Sequence, residues 1–246
     1  MRTVWIIARR EFARYFTTPA AYLAAFLFLL ILGIIFYANV AASAVKANLM
    51  GGYAPGVEII VNPMVSLLVF IIPAITMRLL AEEQRMGTIE LLLTSPVRDV
   101  ELILGKWLGS FLFMSVLILI TLVYPITLNQ LVDPGIDWGT VLTGYLGLLL
   151  MAAAFTALGT AISALFSNQI AAFVATLALF LVLWLIGFPA QSMNASPIWQ
   201  YLDFSQHFYN TLAQGILDLR DIVYYLSITA LGIFAGTMIV ETRRWR

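Results

Sequence analysis

Two places in the sequence hold residues of the type and spacing that chemistry requires. Asp203 and His207 stand four residues apart, which brings a carboxylate and an imidazole onto one turn of a helix. One of each makes an incomplete metal site, and His207 is the only histidine in the chain, so the pair reads as part of a short loop helix. Gly105-Lys106 comes nearest to a phosphate-binding loop. Val100 occupies the place of that loop's first glycine and Trp107 the place of its Mg²⁺-binding hydroxyl, so the phosphates of a nucleotide find no cradle. The chain has no H-E-x-x-H motif, and the absence of cysteine removes thiolate metal sites, disulfides and cysteine nucleophiles. The expectation is a non-catalytic chain with no metal or cofactor of its own.

What remains is a polar stretch, residues 77–106, that sets nine charges into an apolar chain: Arg78, Glu82, Glu83, Arg85, Glu90, Arg98, Asp99, Glu101 and Lys106. Such a segment sits in water, while the runs on either side are long enough to cross a bilayer. Gly87 weakens a continuous helix, Ser95 is suited to an N-cap, and Pro96 fits the first position of a following helix, so two short helices joined by a turn are expected. Ile89, Leu92 and Leu93 share a face that can dock in an apolar groove, ringed by hydrogen-bonding Glu82, Glu83 and Arg85, with Glu82 and Arg85 also spaced to pair with each other. The segment reads as a coupling element that hands force from a soluble partner to the membrane part. The competing reading is a set of solvated charges at a membrane boundary, where exposed pairs contribute only about 0–1 kcal/mol.

Composition identifies what surrounds this stretch. With 62% hydrophobic and 11% charged residues and a mean hydropathy of +0.96, the 246-residue chain lies far from soluble averages and reads as one integral membrane domain. Its net charge is zero and no basic tract suggests nucleic acid.

The expected fold class is an all-α polytopic membrane protein with six transmembrane helices and an N-terminal interfacial amphipathic helix. In residues 1–18, Trp5, Ala8, Phe12, Tyr15 and Phe16 form a stripe, with Arg2, Arg9, Arg10 and Arg14 for the polar side; a disordered basic leader is the alternative. Residues 20–41 form a first span too long for a signal peptide's apolar core. The second, residues 57–80, carries Pro63 and Pro73, which are expected to kink or locally unwind it, and ends in Glu58 and Arg78, read as boundary residues. The coupling segment then occupies 81–104. Spans at 105–128, 139–165, 169–189 and 222–240 complete the set, with an outer loop at 190–221. The span cores hold no ionisable residue to relay a driving ion, which counts against an ion-coupled carrier. Gly105-x-x-x-Gly109 and Gly232-x-x-x-Gly236 permit close helix approach, within a subunit or between two. Eleven of the 13 Lys and Arg residues fall in 1–18, in the coupling segment or after the last span, which puts that side and both termini in the cytoplasm, in the cell's inner membrane.

The run Ala81-Glu82-Glu83-Gln84-Arg85-x-Gly87-Thr88-Ile89-Glu90-Leu91-Leu92-Leu93-Thr94-Ser95-Pro96, closing in Leu104-Gly105-Lys106, closely resembles the signature of ABC-2-type transporter permeases. Asn62-Pro63, Thr76-Met77-Arg78-Leu79-Leu80 and Gly215-Ile216-Leu217-Asp218-Leu219-Arg220-Asp221 further resemble the gliding-motility-associated permeases of that class. The resemblance implies a permease half that pairs with a second half, the same chain or a homologue, above a pair of ABC ATPase subunits that carry the ATP and Mg²⁺. It implies that residues 1–18 lie on membrane lipid and that Glu82, Glu83, Arg85, Gly87, Thr88, Ile89, Glu90, Leu92, Leu93 and Pro96 contact the ATPase. It also implies that the loop with Asp203, His207, Asp218, Arg220 and Asp221 helps close the outer exit. An exporter is expected, and on this reading Glu83→Ala or Leu92→Ala would loosen the ATPase while leaving the spans folded. The rival reading is a non-transporting module that transmits ATPase-driven force to a periplasmic or surface partner.

Overall fold

The computed structural model describes residues 2–50, 55–88, 97–186 and 201–244, and every regular element within them is helical. α1 (Arg2–Tyr15) ends where Thr17 and Thr18 donate their hydroxyls to the Arg14 carbonyl, at 2.9 and 3.1 Å. α2 (Pro19–Met50) starts on a proline, whose missing N–H costs nothing at a helix's first position, and runs well past the expected end of the first span. α3 (Glu58–Thr76) leads through a turn into the short α4 (Ala81–Arg85). α5 (Asp99–Ile120) and α6 (Val123–Leu131) are two parts of one apolar stretch. α7 (Trp138–Leu165) and α8 (Gln169–Leu185) follow, capped by the carboxylate of Asp137 and the amide oxygen of Asn168. α9 (Phe204–Tyr209) and a 3₁₀ turn (Leu212–Gln214) precede α10 (Leu219–Arg244).

Among the described residues, five stretches are long and apolar enough to cross a membrane: Ala21–Ala47, Glu58–Arg85, Asp99–Leu131, Trp138–Leu165 and Leu219–Arg243. α8 is apolar but has 17 residues, a rise of about 25 Å against a hydrocarbon core of about 30 Å.

Proline shapes two of these stretches, and at Pro63 and Pro125 a neighbouring helix supplies the missing donor. α3 stays helical through Pro63 and Pro73 instead of unwinding. Pro63 has no N–H for the Ile59 carbonyl, and Asn39 of α2 donates to it at 3.2 Å. The expected third span is broken between α5 and α6, because Pro125 offers no N–H to the Thr121 carbonyl. That carbonyl turns instead to the hydroxyl of Tyr145 on α7 at 2.9 Å and to the Tyr124 N–H at 2.9 Å. The carbonyls freed by Pro63 and Pro125 are thus satisfied from within the bundle.

The core is arranged around α7, of whose most apolar window 72% is buried, against 11% for α2. Leu148, Met151 and Phe155 of α7 meet Met64, Leu68 and Ile72 of α3, and Phe155 stacks on Phe180 of α8 with ring centres 4.2 Å apart. Glycines set the closest approaches. A Cβ on Gly232 of α10 would lie 2.7 Å from the Ala157 backbone of α7, and one on Gly109 of α5 would lie 2.9 Å from the Ala8 carbonyl of α1. Both small-residue motifs therefore pack within this chain. α2, by contrast, leaves Tyr22, Leu23, Phe26, Ile34 and Tyr37 exposed, a surface that suits lipid.

Candidate functional site

The polar stretch meets the helices around one buried cation. Lys106, on the second turn of α5, is 1% exposed and donates to Glu83 of α4 at 2.6 Å, to Glu11 of α1 at 3.1 Å and to the Leu79 carbonyl at 2.7 Å. Three donors of an ammonium therefore meet three acceptors from three segments. The close approach that allows this comes from Gly105 and Gly109, where a Cβ would lie 2.6 Å from Ile7 and 2.7 Å from Glu11. A second pair, Arg14 to Glu82 at 2.9 Å, ties α1 to α4 again nearer the surface. Tyr15 closes this face of α1: burial, reinforced by the Glu11 carboxylate, pushes its hydroxyl well above its ordinary pKa, and it stays a donor to the Ile75 carbonyl at 3.3 Å.

α4 is also held from α7. The Ser163 hydroxyl oxygen accepts from the backbone N–H groups of Leu80 and Ala81, at 3.1 and 3.2 Å, and donates to the Met77 carbonyl at 3.1 Å. These N–H groups belong to the open first turn of α4, so Ser163 acts as its cap from another helix. Gln84 adds a bond to the Ala164 carbonyl at 2.8 Å. The chain then turns at Gly87, whose φ of +70° suits glycine, and Thr88 bonds back to the Glu83 carbonyl at 3.3 Å.

The residues expected to meet an ATPase therefore divide. Glu82 pairs with Arg14 and not with Arg85, and Glu83 points inward to Lys106, so Glu83→Ala removes internal support as well as any docking contact. Arg85 is exposed and borders an open cleft with Ser167, Asn168 and Gln169 of the α7–α8 turn. Ile89, Glu90, Leu92, Leu93 and Pro96 lie outside the described residues. The expected stripe of α1 splits as well. Ala8, Glu11 and Tyr15 are buried against the bundle, while Trp5 and Phe16 stay exposed with Arg9 and Arg10, and Phe12 lies between, 5.1 Å from the Phe16 ring.

Glu11 and Lys106 were not expected as partners. Glu11 is the single acidic residue in the basic segment 1–18, and Lys106 stands between two close-packing glycines. Lys106 sits in a long apolar helix and not in the preceding segment, so the charge-free part of that span begins at Trp107.

At the other end of the bundle, Asp203 and His207 do not form a pair. Asp203 caps α9 through the Ser205 N–H at 2.9 Å. His207 Nδ1 lies 2.7 Å from Asp221 of α10, its Nε2 lies 3.0 Å from the Tyr201 carbonyl, and its ring stacks on Tyr224 with centres 4.1 Å apart. Tyr224 and Tyr225 donate to the Leu202 and Phe204 carbonyls at 2.9 and 3.2 Å. Asp218 accepts from the Arg220 N–H at 2.9 Å, and the Arg220 side chain is exposed. These contacts fasten the loop to the start of α10.

The polar stretch of this helical membrane bundle is thus supported from α1, α5 and α7. No curated protein matches the chain. The model of the family described as ABC-2 family transporter protein matches residues 5–241, nearly the whole sequence. The chain therefore belongs to the ABC-2 family and is a membrane permease of an ABC transporter, a class that works with an ABC ATPase.

Proposed function

We propose that this permease is one half of an exporter, paired with a second copy or a homologue and driven by two ATPase subunits bound at the α4 end. Residues 81–96 receive the movement of the ATPase, and the Lys106 node with the Ser163 cap passes it to α1, α5 and α7. Translocation then proceeds by alternating opening of the pathway between the halves. On this reading α8 belongs to the fifth of six spans, the α4 end and both termini are cytoplasmic, and α9 covers the outer end. The motif likeness to gliding-motility-associated permeases belongs to the same proposal.

The observation that carries it is the support of the polar stretch from inside. A solvated boundary segment has no need of a buried lysine shared between Glu11 and Glu83, whereas an element that receives force does. The purified chain is expected to hydrolyse no ATP, with hydrolysis appearing when its partner ABC ATPase is added. Nucleotide binding by the isolated chain, or failure of that ATPase to associate with it, would overturn the proposal.

A further inference from the structure

Four basic side chains among the described residues are at least partly withdrawn from solvent: Arg14, Arg78, Lys106 and Arg243. Three have partners, namely Glu82 for Arg14, Glu11 and Glu83 for Lys106, and the Leu165 carbonyl for Arg243. Arg78 has none, and its Nε is buried without an acceptor. A guanidinium withdrawn from water and left open is unfavourable unless an anion completes it.

Arg78 lines a cavity of about 90 Å³ at the α1 end of the bundle, between α1, α2 and α3. Arg14 and Thr18 share its polar end, and Ala21, Ala24 and Ala74 form part of an otherwise apolar wall. Two carboxylates also reach it, but Glu11 already holds Lys106 and Glu82 already holds Arg14. Arg78 is thus the cationic group of the cavity that neither carboxylate bonds. Alanines on the first turns of α2 and the last turn of α3 leave a slot, and the neighbouring Tyr22, Leu23 and Phe26 show that this part of α2 is open to the surroundings of the bundle. A charged head at the level of the interfacial helix, with an apolar slot running into the spanning region, matches a molecule that is anionic at one end and a hydrocarbon at the other.

We propose that Arg78 binds the phosphate of a phospholipid from the leaflet on the α1 side, with one acyl chain along Ala21, Ala24 and Ala74. The planar guanidinium grips a phosphate with two parallel N–H bonds, and the alanine slot selects a lipid over a free anion. The inference does not depend on export. It needs only the membrane position of the chain.

The test uses the full chain, stripped of lipid in detergent and offered phosphatidylglycerol, diacylglycerol or inorganic phosphate, with binding read by native mass spectrometry. The wild type is expected to retain phosphatidylglycerol and not diacylglycerol. Arg78→Gln should bind it on the order of tenfold more weakly, the loss of one charge-assisted contact. Because Arg78 has no hydrogen-bond or ion-pair partner among the described residues, this variant should unfold at the wild-type temperature when lipid is absent. Ala24→Leu fills the slot without touching the charge, and should lose the lipid even if Arg78→Gln fails to fold. Equal retention by wild type and Arg78→Gln, or of diacylglycerol and phosphatidylglycerol, would overturn the proposal. Retention of phosphatidylglycerol by Ala24→Leu together with its displacement by inorganic phosphate would overturn the lipid in favour of a free anion.

Discussion

Lys106 and Glu83 meet at 2.6 Å, joining α5 to α4 with both side chains nearly closed off from water. Glu11 joins from α1 at 3.1 Å, so the node holds one positive and two negative groups, and the second oxygen of Glu83 has no partner. Such a node contributes less to net stability than to geometry, since burying three charges costs about what their attraction returns. Its strength appears when one member is removed. Lys106→Met is expected to destabilise the chain by about 3–5 kcal/mol, because two carboxylates are left buried without a cation. The triple variant Lys106→Met, Glu11→Gln, Glu83→Gln should recover most of that loss. Thermal unfolding in detergent measures both, and a triple variant weaker than the single one would show that the node is held by something other than charge pairing.

The close approach of α1 to α5 has its own test. Gly109→Leu places a side chain where the Ala8 carbonyl and Glu11 already stand, so α1 should be displaced and its amides should exchange with solvent as fast as those of a free helix. Gly87→Ala meets open space and costs only the left-handed backbone, about 1 kcal/mol, with no effect on α1 exchange. Equal exchange of α1 in both variants would rule out glycine as the reason for the contact.

Ser163 should matter to α4 and to little else. Ser163→Ala leaves two backbone N–H groups of the turn into α4 without an acceptor, at a cost of about 1–3 kcal/mol. Amide exchange should quicken at Leu80 and Ala81 while α10 keeps its wild-type protection. Unchanged protection at both amides would mean that water replaces the hydroxyl.

How much of this was legible depended on the range of the interactions. Helices, prolines and boundary charges are local features, and the stretch 77–106 stood out because nine charges interrupt an apolar chain. Gly87 marked the turn after α4 by local backbone chemistry. The partners of the charges were not legible. Lys106 and Glu11 are 95 positions apart, and only the crossing of α1 over Gly105 and Gly109 brings them together. For the same reason Glu82 was matched with nearby Arg85, though Arg14 reaches it from α1. The break at Thr121 was not expected, since 105–128 reads as one span, and that the chain tolerates Pro125 there depends on Tyr145, which no local pattern announces.

Tyr145→Phe tests that last point. It removes the donor that replaces the missing Pro125 N–H, and should cost about 1 kcal/mol while leaving the packing of the ring intact. Wild-type stability in this variant would mean that the Tyr124 N–H alone satisfies the Thr121 carbonyl.

On the proposed function the exposed side of the α4 segment is where the ATPase acts, and Arg85 is one of its described, solvent-facing residues. The most direct measurement places a photo-crosslinking side chain at Arg85, and in a second sample at Arg220, in the chain assembled with its ATPase in membranes. Arg85 is predicted to capture the ATPase subunit and Arg220, at the other end of the bundle, to capture none. Capture from Arg220, or none from Arg85 in an assembled and active complex, would contradict the account.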